Sequence, residues 1–440
     1  MSTFDLIAGS DSETVDSLIH QVYSAVYPHL FKGTLHVGTL KIDSIDFDIS
    51  SAPTLQLSEP IEIETDLRNA LKNNKYGATS HLTPEQVEQL VALTAGVTLT
   101  ASLPTVGLTI HYTDRPDKKV TGSVSVAVNI QAETANGQNS FTVSIVQAKI
   151  SLAGNPALEI LLQDVFIPML IGYLNDHLLH AISVPALQFG SLEISLPLPA
   201  VQAPYVIAVS ALGSSQPPVP APFAWPTGGV FIGADAALLQ AAADIPFPIQ
   251  KMADFNWDII SGQAGGNISA PTGVTVNNDG SLSAQVTLNA IAQLTLHTPN
   301  GFPNVSFGPT ASATVGVTLL PSIDGSSFEI KVQGISIPNF SFDWGIPGWI
   351  NWLFDPLEDA LAAALNAVIA PILSGLLGLL PPIKVFTIPE MQLSIGGSSF
   401  TVQLTNGSIA NVNGLLMISV TPEITSSSVE SFARGEAVPA

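Results

Sequence analysis

The sequence predicts an α+β protein of two tandem units, each with a long helix packed against a strongly bent antiparallel sheet. Three observations lead to this prediction. Many apolar residues alternate with period two, as in strands. Two long apolar segments carry helix start and stop signals. The order of elements also occurs twice, and VPALQF at Val184 to Phe189 returns as IPEMQL at Ile388 to Leu393.

Composition limits the function classes. Of the 440 residues, 46% are apolar and 11% are charged, so the chain has enough apolar material to bury a large core. The net charge of −22 repels phosphates, which disfavours nucleic acids and anionic membrane surfaces as partners. Neutral lipids, other apolar molecules and basic proteins remain as partners.

The chain has no cysteine, so its fold depends on core burial rather than on disulfides or thiolate metal sites. The opening MSTFDLIAGSDSETVDS lacks a basic start followed by an apolar run. We therefore expect cytoplasmic synthesis without a signal peptide, with any release by a non-classical route.

The first unit is expected to begin with an amphipathic helix, with Ser10 and Glu13 as a capping box. Bent strands follow from Thr34, and a hairpin turns at Asn136-Gly137. A long helix then starts at Asn155-Pro156 and runs to about Ala181, with a kink at Pro168.

The second unit repeats this order after a proline-rich connector. A short helix is expected over 235–243, the clearest long strand is SLSAQVTLNAIAQLTLH, and Asp355-Pro356-Leu357-Glu358 begins a helix that runs to about Leu380. The predicted organisation is a first unit at 1–212, a connector at 213–226, a second unit at 227–425 and a C-terminal tail at 426–440.

The second long helix raises the question of a membrane span, because Ala360 to Ile383 contains no charge over 24 residues. Its large residues lie on one side and its small residues on another, which is typical of a packed helix. Its counterpart carries charged residues such as Glu159 and Asp164, which are costly in a membrane. We expect no integral span, although contact with a membrane stays open.

A long apolar helix in water needs an apolar cover, which a bent sheet provides. The sheet either encloses the helix completely or leaves an apolar groove along it, and both arrangements need the same residues. The candidate groove residues are, in the first unit, Val165, Met169, Tyr173 and Phe189, and in the second, Leu361, Leu365, Val368 and Ile372.

This layout of helix, twisted sheet, long proline-punctuated helix and strand led by [VI]-P, in tandem across a proline-rich connector, resembles the tubular lipid-binding (TULIP) superfamily. The opening SETVDSLIHQVYSAVYPHLFKGTLHVGTLKIDSIDFDI is more similar to its bacterial branch, the clostridial neurotoxin-cluster accessory proteins of the Orf-X group. The resemblance covers nearly the whole chain. It implies an elongated fold with apolar pockets between helix and sheet, and no reaction. The basic tips and the disulfide of the endotoxin-binding members are missing from this sequence.

No motif of a hydrolase, nucleotide-binding or zinc enzyme is present, so we expect no enzymatic activity and no cofactor. His177 and His180 with Asp176 are better explained as a polar helix face than as a metal site. The acids of KIDSIDFDIS, Asp43, Asp46 and Asp48, are expected on the wet face of a strand rather than around calcium. The tryptophans before the second long helix, Trp344, Trp349 and Trp352, are expected in the core.

The function predicted from the sequence is the binding of a lipid or fatty acyl chain between long helix and sheet, as an accessory of a toxin or secretion system. A second hypothesis is a structural protein with self-filled units that binds a protein partner, such as a toxin-complex component. A third is a membrane-inserting toxin component that releases the second long helix.

Overall fold

In the computed structural model the chain is an α+β protein of antiparallel sheets, which confirms the predicted fold class. The structure describes residues 4–57, 97–135, 138–176, 192–298, 303–325, 327–333, 335–346, 354, 357–378, 382–387, 391–395 and 398–428. The second copy of the repeated phrase begins at Ile388, and its first three residues lie outside these ranges, as does the whole first copy.

The first sheet has six strands in the order β2-β3-β5-β6-β7, with β4 paired to β5. Long β6 and β7 form the hairpin expected around Asn136-Gly137, paired from Gly122 with Leu152 to Ala135 with Gln138. The strands of this sheet are β2 (Lys32–Thr39), β3 (Ile42–Ile49), β4 (Thr54–Gln56), β5 (Val97–Tyr112), β6 (Lys118–Ala135) and β7 (Gln138–Leu152).

The second sheet has eight strands in the order β11-β12-β14-β16-β17-β18, with β13 and β15 paired to β14. Strand β14 alternates buried and more exposed residues along its whole length, as its sequence predicts. The strands of this sheet are β11 (Ile249–Trp257), β12 (Ile260–Ile268), β13 (Thr272–Val276), β14 (Leu282–Leu296), β15 (Val305–Phe307), β16 (Thr310–Asp324), β17 (Ser327–Gln333) and β18 (Ile383–Thr387).

A central sheet combines strands from both predicted units, in the order β19-β20-β21-β10-β1-β9-β8. Strand β1 pairs with β9 on one side and with β10, from the other unit, on the other. The strands are β1 (Leu6–Asp11), β8 (Leu198–Gln202), β9 (Tyr205–Ser210), β10 (Val230–Ala234), β19 (Met391–Ile395), β20 (Ser398–Val412) and β21 (Leu415–Ser428).

Two short helices follow the paired strands β1 and β10, so each half opens with a strand and a capped helix. Helix α1 (Ser12–Val26) begins after Asp11, whose carboxylate accepts the Thr14 N–H at 2.7 Å. Helix α3 (Ala236–Asp244) begins after Asp235, whose carboxylate accepts the Leu238 N–H at 3.0 Å. The predicted N-cap Ser10 is therefore wrong by one residue, because Asp11 supplies the capping carboxylate and the Ser10 hydroxyl donates instead to the Gly229 carbonyl at 3.1 Å.

The two long helices are α2 (Pro156–Leu174) and α4 (Glu358–Gly378). Both contain an internal proline, Pro168 and Pro371. By length and composition alone, each could cross a membrane, a test that core helices of soluble proteins also pass. The end of α2 predicted near Ala181 lies outside the described residues.

The connector, residues 213–226, contains no helix or strand. It is fastened to the central sheet by the buried side chain of Gln202, which donates to the Pro220 carbonyl at 2.6 Å and accepts from the Trp225 indole at 3.0 Å. Tyr205 adds a hydrogen bond from its hydroxyl to the Trp225 carbonyl at 2.7 Å. The domain boundaries derived from the sequence stay a prediction.

Candidate functional site

Helix α2 packs against both edge strands of the first sheet. The two edge strands of this sheet are β2 and β7, and α2 packs along β7 while also contacting β2. The sheet therefore curls around the helix, and the two sides of α2 meet two different edges. Each edge strand carries backbone N–H and C=O groups without a strand partner on that side.

On the β7 side, polar side chains of α2 hydrogen-bond to the backbone of the edge strand. Gln163 accepts the Ile150 N–H at 3.0 Å and donates to the Ala148 carbonyl at 2.9 Å. Asn175, directly after the helix, accepts the Ile145 N–H at 2.7 Å and donates to its carbonyl at 3.0 Å. Glu159 accepts the Leu152 N–H at 2.9 Å. We call Glu159, Gln163 and Asn175 the clamp, since they take the place of a further strand.

On another flank of α2 lies an apolar row in which each residue follows the last by four. We call this row, Leu161, Val165, Met169 and Tyr173, the seam row; all four are half-buried. Val165 follows Gln163 by two residues, which is about 200° around a helix. Val165 therefore lies on the side of α2 opposite Gln163.

The seam row continues into the first sheet through aromatic contacts. The Tyr173 ring lies 5.3 Å from the ring of Phe47 on β3, edge to face. Gly33 of β2 is the cross-strand partner of Phe47 and leaves room for its ring, because a Cβ on Gly33 would lie 3.0 Å from a ring carbon. Burial raises the pKa of the Tyr173 hydroxyl. Half-buried Leu35 and Val37 of β2 add to this apolar surface.

The second long helix makes a comparable contact, from Asn366 to the backbone of Phe340, which lies outside any strand. Asn366 of α4 accepts the Phe340 N–H at 2.8 Å and donates to the Phe340 carbonyl at 3.0 Å. The remaining predicted groove residues divide into two groups. Leu361 and Leu365 are 0% exposed and belong to the second core, whereas Val368 and Ile372 are half-buried at its margin.

The structure thus brings Val165, Met169 and Tyr173 together on one helix flank. Phe189 lies outside the described residues. Reasoning from the sequence missed the clamp, whose signal was a glutamine and an asparagine within or beside otherwise apolar helices. It also missed a shallow cleft of about 430 Å³ between α1 and the β20–β21 hairpin, lined by His20, Gln21, Ser24, Ala25, Phe400 and Ile424.

Of the acids that were weighed as calcium ligands, Asp46 and Asp48 have other partners. Asp46 accepts from Thr34 at 2.7 Å and bonds to His111 at 2.9 Å, on the outward face of β3, which confirms the expected wet face. Within the described ranges no group of three or more His, Asp or Glu side chains is placed so that it could hold a metal ion. His177 and His180 lie outside those ranges.

Of the three tryptophans, only Trp344 falls within the described residues. Its ring lies 5.0 Å from that of Phe354, and it packs against the second core. Its indole donates to the Glu358 carboxylate at 2.9 Å. Trp344 is therefore a half-buried residue at the edge of the core.

The fold and the packing of its long helices define a class of architecture: a tandem protein in which long apolar helices pack against curled antiparallel sheets. No family profile matches the chain, and no curated protein sequence matches it. Among solved structures, P47 of Clostridium botulinum E1 is similar, with a TM-score of 0.44 and 7% identity over 95% of this chain and 99% of the other.

P47 from Clostridium botulinum A2 is similar with a TM-score of 0.45 and 9% identity over 95% of this chain and 97% of the other. A lipopolysaccharide binding protein is similar with a TM-score of 0.36 and 10% identity over 96% of this chain and 99% of the other. These belong to the two groups that the sequence resemblance named.

Proposed function

We propose that this protein is a non-enzymatic binder of a single acyl chain, held in the first unit between the seam row of α2 and strand β2. The observation that supports this is the asymmetry of α2. Its clamp flank is fixed to β7 by hydrogen bonds, while its seam row presents large apolar side chains that are only half-buried. An apolar ligand would remove that remaining surface from water.

The length of the seam row suits one acyl chain. From Leu161 to Tyr173 the helix rises about 18 Å, at about 1.5 Å per residue. The hydrocarbon core of a bilayer is about 30 Å thick and holds two chains end to end, so one chain spans about 15 Å. Each buried methylene contributes about 0.8 kcal/mol before ordering costs. The ligand is expected to be neutral, because the acidic chain has few bases to hold an anionic head group.

The test is native mass spectrometry of the protein after incubation with neutral phospholipid vesicles, followed by extraction and identification of the ligand. We expect one lipid per chain. We expect Met169→Trp to lose it, because the larger ring would fill the space between the seam row and β2. Ile160→Trp is the matched control, since Ile160 lies on the same helix but is 66% exposed. Circular dichroism verifies that both variants fold. A lipid-free mass for the wild type, or lipid retained by Met169→Trp, would refute the proposal.

A second candidate function rests on the second unit. Leu361 and Leu365 are fully enclosed, together with Ile369 and Leu373, as expected for a unit filled by its own side chains. Such a unit suits a structural accessory that binds a protein partner, for which a toxin-complex component is the class that the resemblance implies. Its test is gel filtration of the purified chain with purified products of neighbouring genes. A stable complex formed by lipid-free protein supports it, and separate elution contradicts it.

A further inference from the structure

The outward face of the second sheet is free of charge over three adjacent strands. Strands β12 and β14 contain no Asp, Glu, Lys or Arg, and β16 has only Asp324 at its last residue. Over β12, β14 and the part of β16 paired with β14, outward positions carry hydroxyl, amide or hydrogen side chains, with Ile291 as the exception, and exposed Leu320 lies just beyond this area. We call this surface the neutral face: Ser261, Gln263, Gly265, Asn267, Ser283, Gln285, Thr287, Asn289, Ile291, Gln293, Thr295, Thr310, Ser312, Thr314, Gly316 and Thr318.

The first sheet differs in how its charges are placed. It also has a strand without Asp, Glu, Lys or Arg, β5, but the neighbouring β3 supplies Asp46 and Asp48. Lys32 pairs with Asp48 at 3.4 Å, and His111 lies between Asp46 and Asp117 at 2.9 Å from each. In the second sheet β12, β14 and the paired part of β16 lie side by side, so their uncharged outward positions form one continuous surface.

The neutral face is also ordered by its own cross-strand hydrogen bonds. Asn289 donates to Asn267 at 2.6 Å, and the Thr287 and Thr314 hydroxyls lie 3.4 Å apart. Short side chains held in this way lose little conformational freedom when another surface covers them. Ile291 stands near the middle, half-buried between two fully buried alanines whose side chains point into the core. It is the large apolar side chain that a partner would cover.

Charge decides which partner fits. Two copies of a chain with net charge −22 repel each other wherever their acidic surfaces meet. At physiological salt, charges act over about 8 Å, so the local charge of the contact matters more than the total. A neutral face meets a second neutral face without like-charge repulsion, whereas it offers nothing to attract a basic protein. We propose that the neutral face is where two copies of this chain associate.

The area is sufficient for a weak dimer. The face comprises β12, β14 and the part of β16 paired with β14, in all about 34 residues at roughly 3.4 by 4.8 Å each, or about 550 Å² per copy. Two copies thus bury about 1,100 Å², at the lower end for specific interfaces. Because the remaining surfaces repel, added salt should strengthen the association.

The test is sedimentation equilibrium of the full chain from about 1 to 500 µM, at low and at physiological salt. We expect a concentration-dependent mass that approaches twice the 45.9 kDa chain mass and rises with salt. Thr314→Glu should raise the dimer dissociation constant at least tenfold, and Ile291→Ala should raise it severalfold. Thr121→Glu is the control, because Thr121 is an exposed strand residue of the first sheet. A monomer at every concentration, or equal dimerisation of Thr314→Glu and Thr121→Glu, would overturn the proposal.

Discussion

Replacing Asn366 by leucine tests whether its hydrogen bonds to Phe340 hold the second long helix in place. The Asn366 amide bonds to both backbone groups of Phe340, at 2.8 and 3.0 Å, and Phe340 is 5% exposed. Leucine has a similar volume but neither donor nor acceptor, so a largely buried N–H and C=O would lose their partners. Each orphaned group costs about 1–3 kcal/mol, and the added apolar contact returns about 1 kcal/mol. With two orphaned groups, we expect a net loss of about 1–5 kcal/mol in the free energy of unfolding.

The assay is urea unfolding followed by circular dichroism, combined with hydrogen exchange of peptides that contain Phe340. The variant should unfold at lower urea, and the Phe340 amide should exchange faster because its acceptor is gone. Ala367→Leu is the control, since Ala367 is exposed on the same helix and should change stability by less than about 0.5 kcal/mol. A similarly small loss of stability in Asn366→Leu, with unchanged exchange at Phe340, would show that these hydrogen bonds do not hold the helix.

Three further predictions concern other parts of the fold. The hydrogen bond to Asp46, and to a lesser extent that to Asp117, raises the pKa of His111 above its ordinary value of 6.5. The contact between His111 and the two carboxylates therefore stabilises the fold below pH 6.5, and this stabilisation is lost as pH rises through the raised pKa. An NMR titration should show the pKa of His111 falling in Asp46→Asn. Gly122→Ala should destabilise the protein by at least about 2 kcal/mol, because its Cβ would lie 2.4 Å from the Ser151 carbonyl oxygen, whereas Gly316→Ala meets nothing within 4 Å and should not, as urea unfolding will measure. Gln202→Leu should release the connector, so chymotrypsin should cut it faster than in the wild type, and equal rates would contradict the role of Gln202.

The sequence predicted the long elements well because their signals are local. Period-two alternation identified β14, and Asn155-Pro156 identified the start of α2. Strands β1 and β10 were missed. The segment Leu6–Asp11 contains alanine, glycine and serine, which are weak strand signals. It is a strand because it pairs with β10, about half the chain length later, and no local pattern records that pairing.

The candidate site was predictable in part for the same reason. The spacing by four of Val165, Met169 and Tyr173 is visible in the sequence, and the structure places these residues on one flank. The sequence cannot say whether a leucine lines a groove or fills a core, and Leu361 and Leu365 fill the core. The partners of Gln163 and Asn366 depend on how the chain folds back, so their role could not be read from local pattern.

The position of β1 in the central sheet has a consequence for biosynthesis. Ser10 donates to the carbonyl of Gly229, 219 residues later, and Asp11 accepts the Gly228 N–H. At about 5–20 residues per second, the ribosome makes β10 roughly 10–50 s after β1. Strand β9 is made only shortly before β10, so both edges of β1 lack a partner for most of that interval, and one edge still does after β9 has paired. Dividing the gene at the connector would make this temporary state permanent, because the N-terminal fragment would lack the strand that completes it.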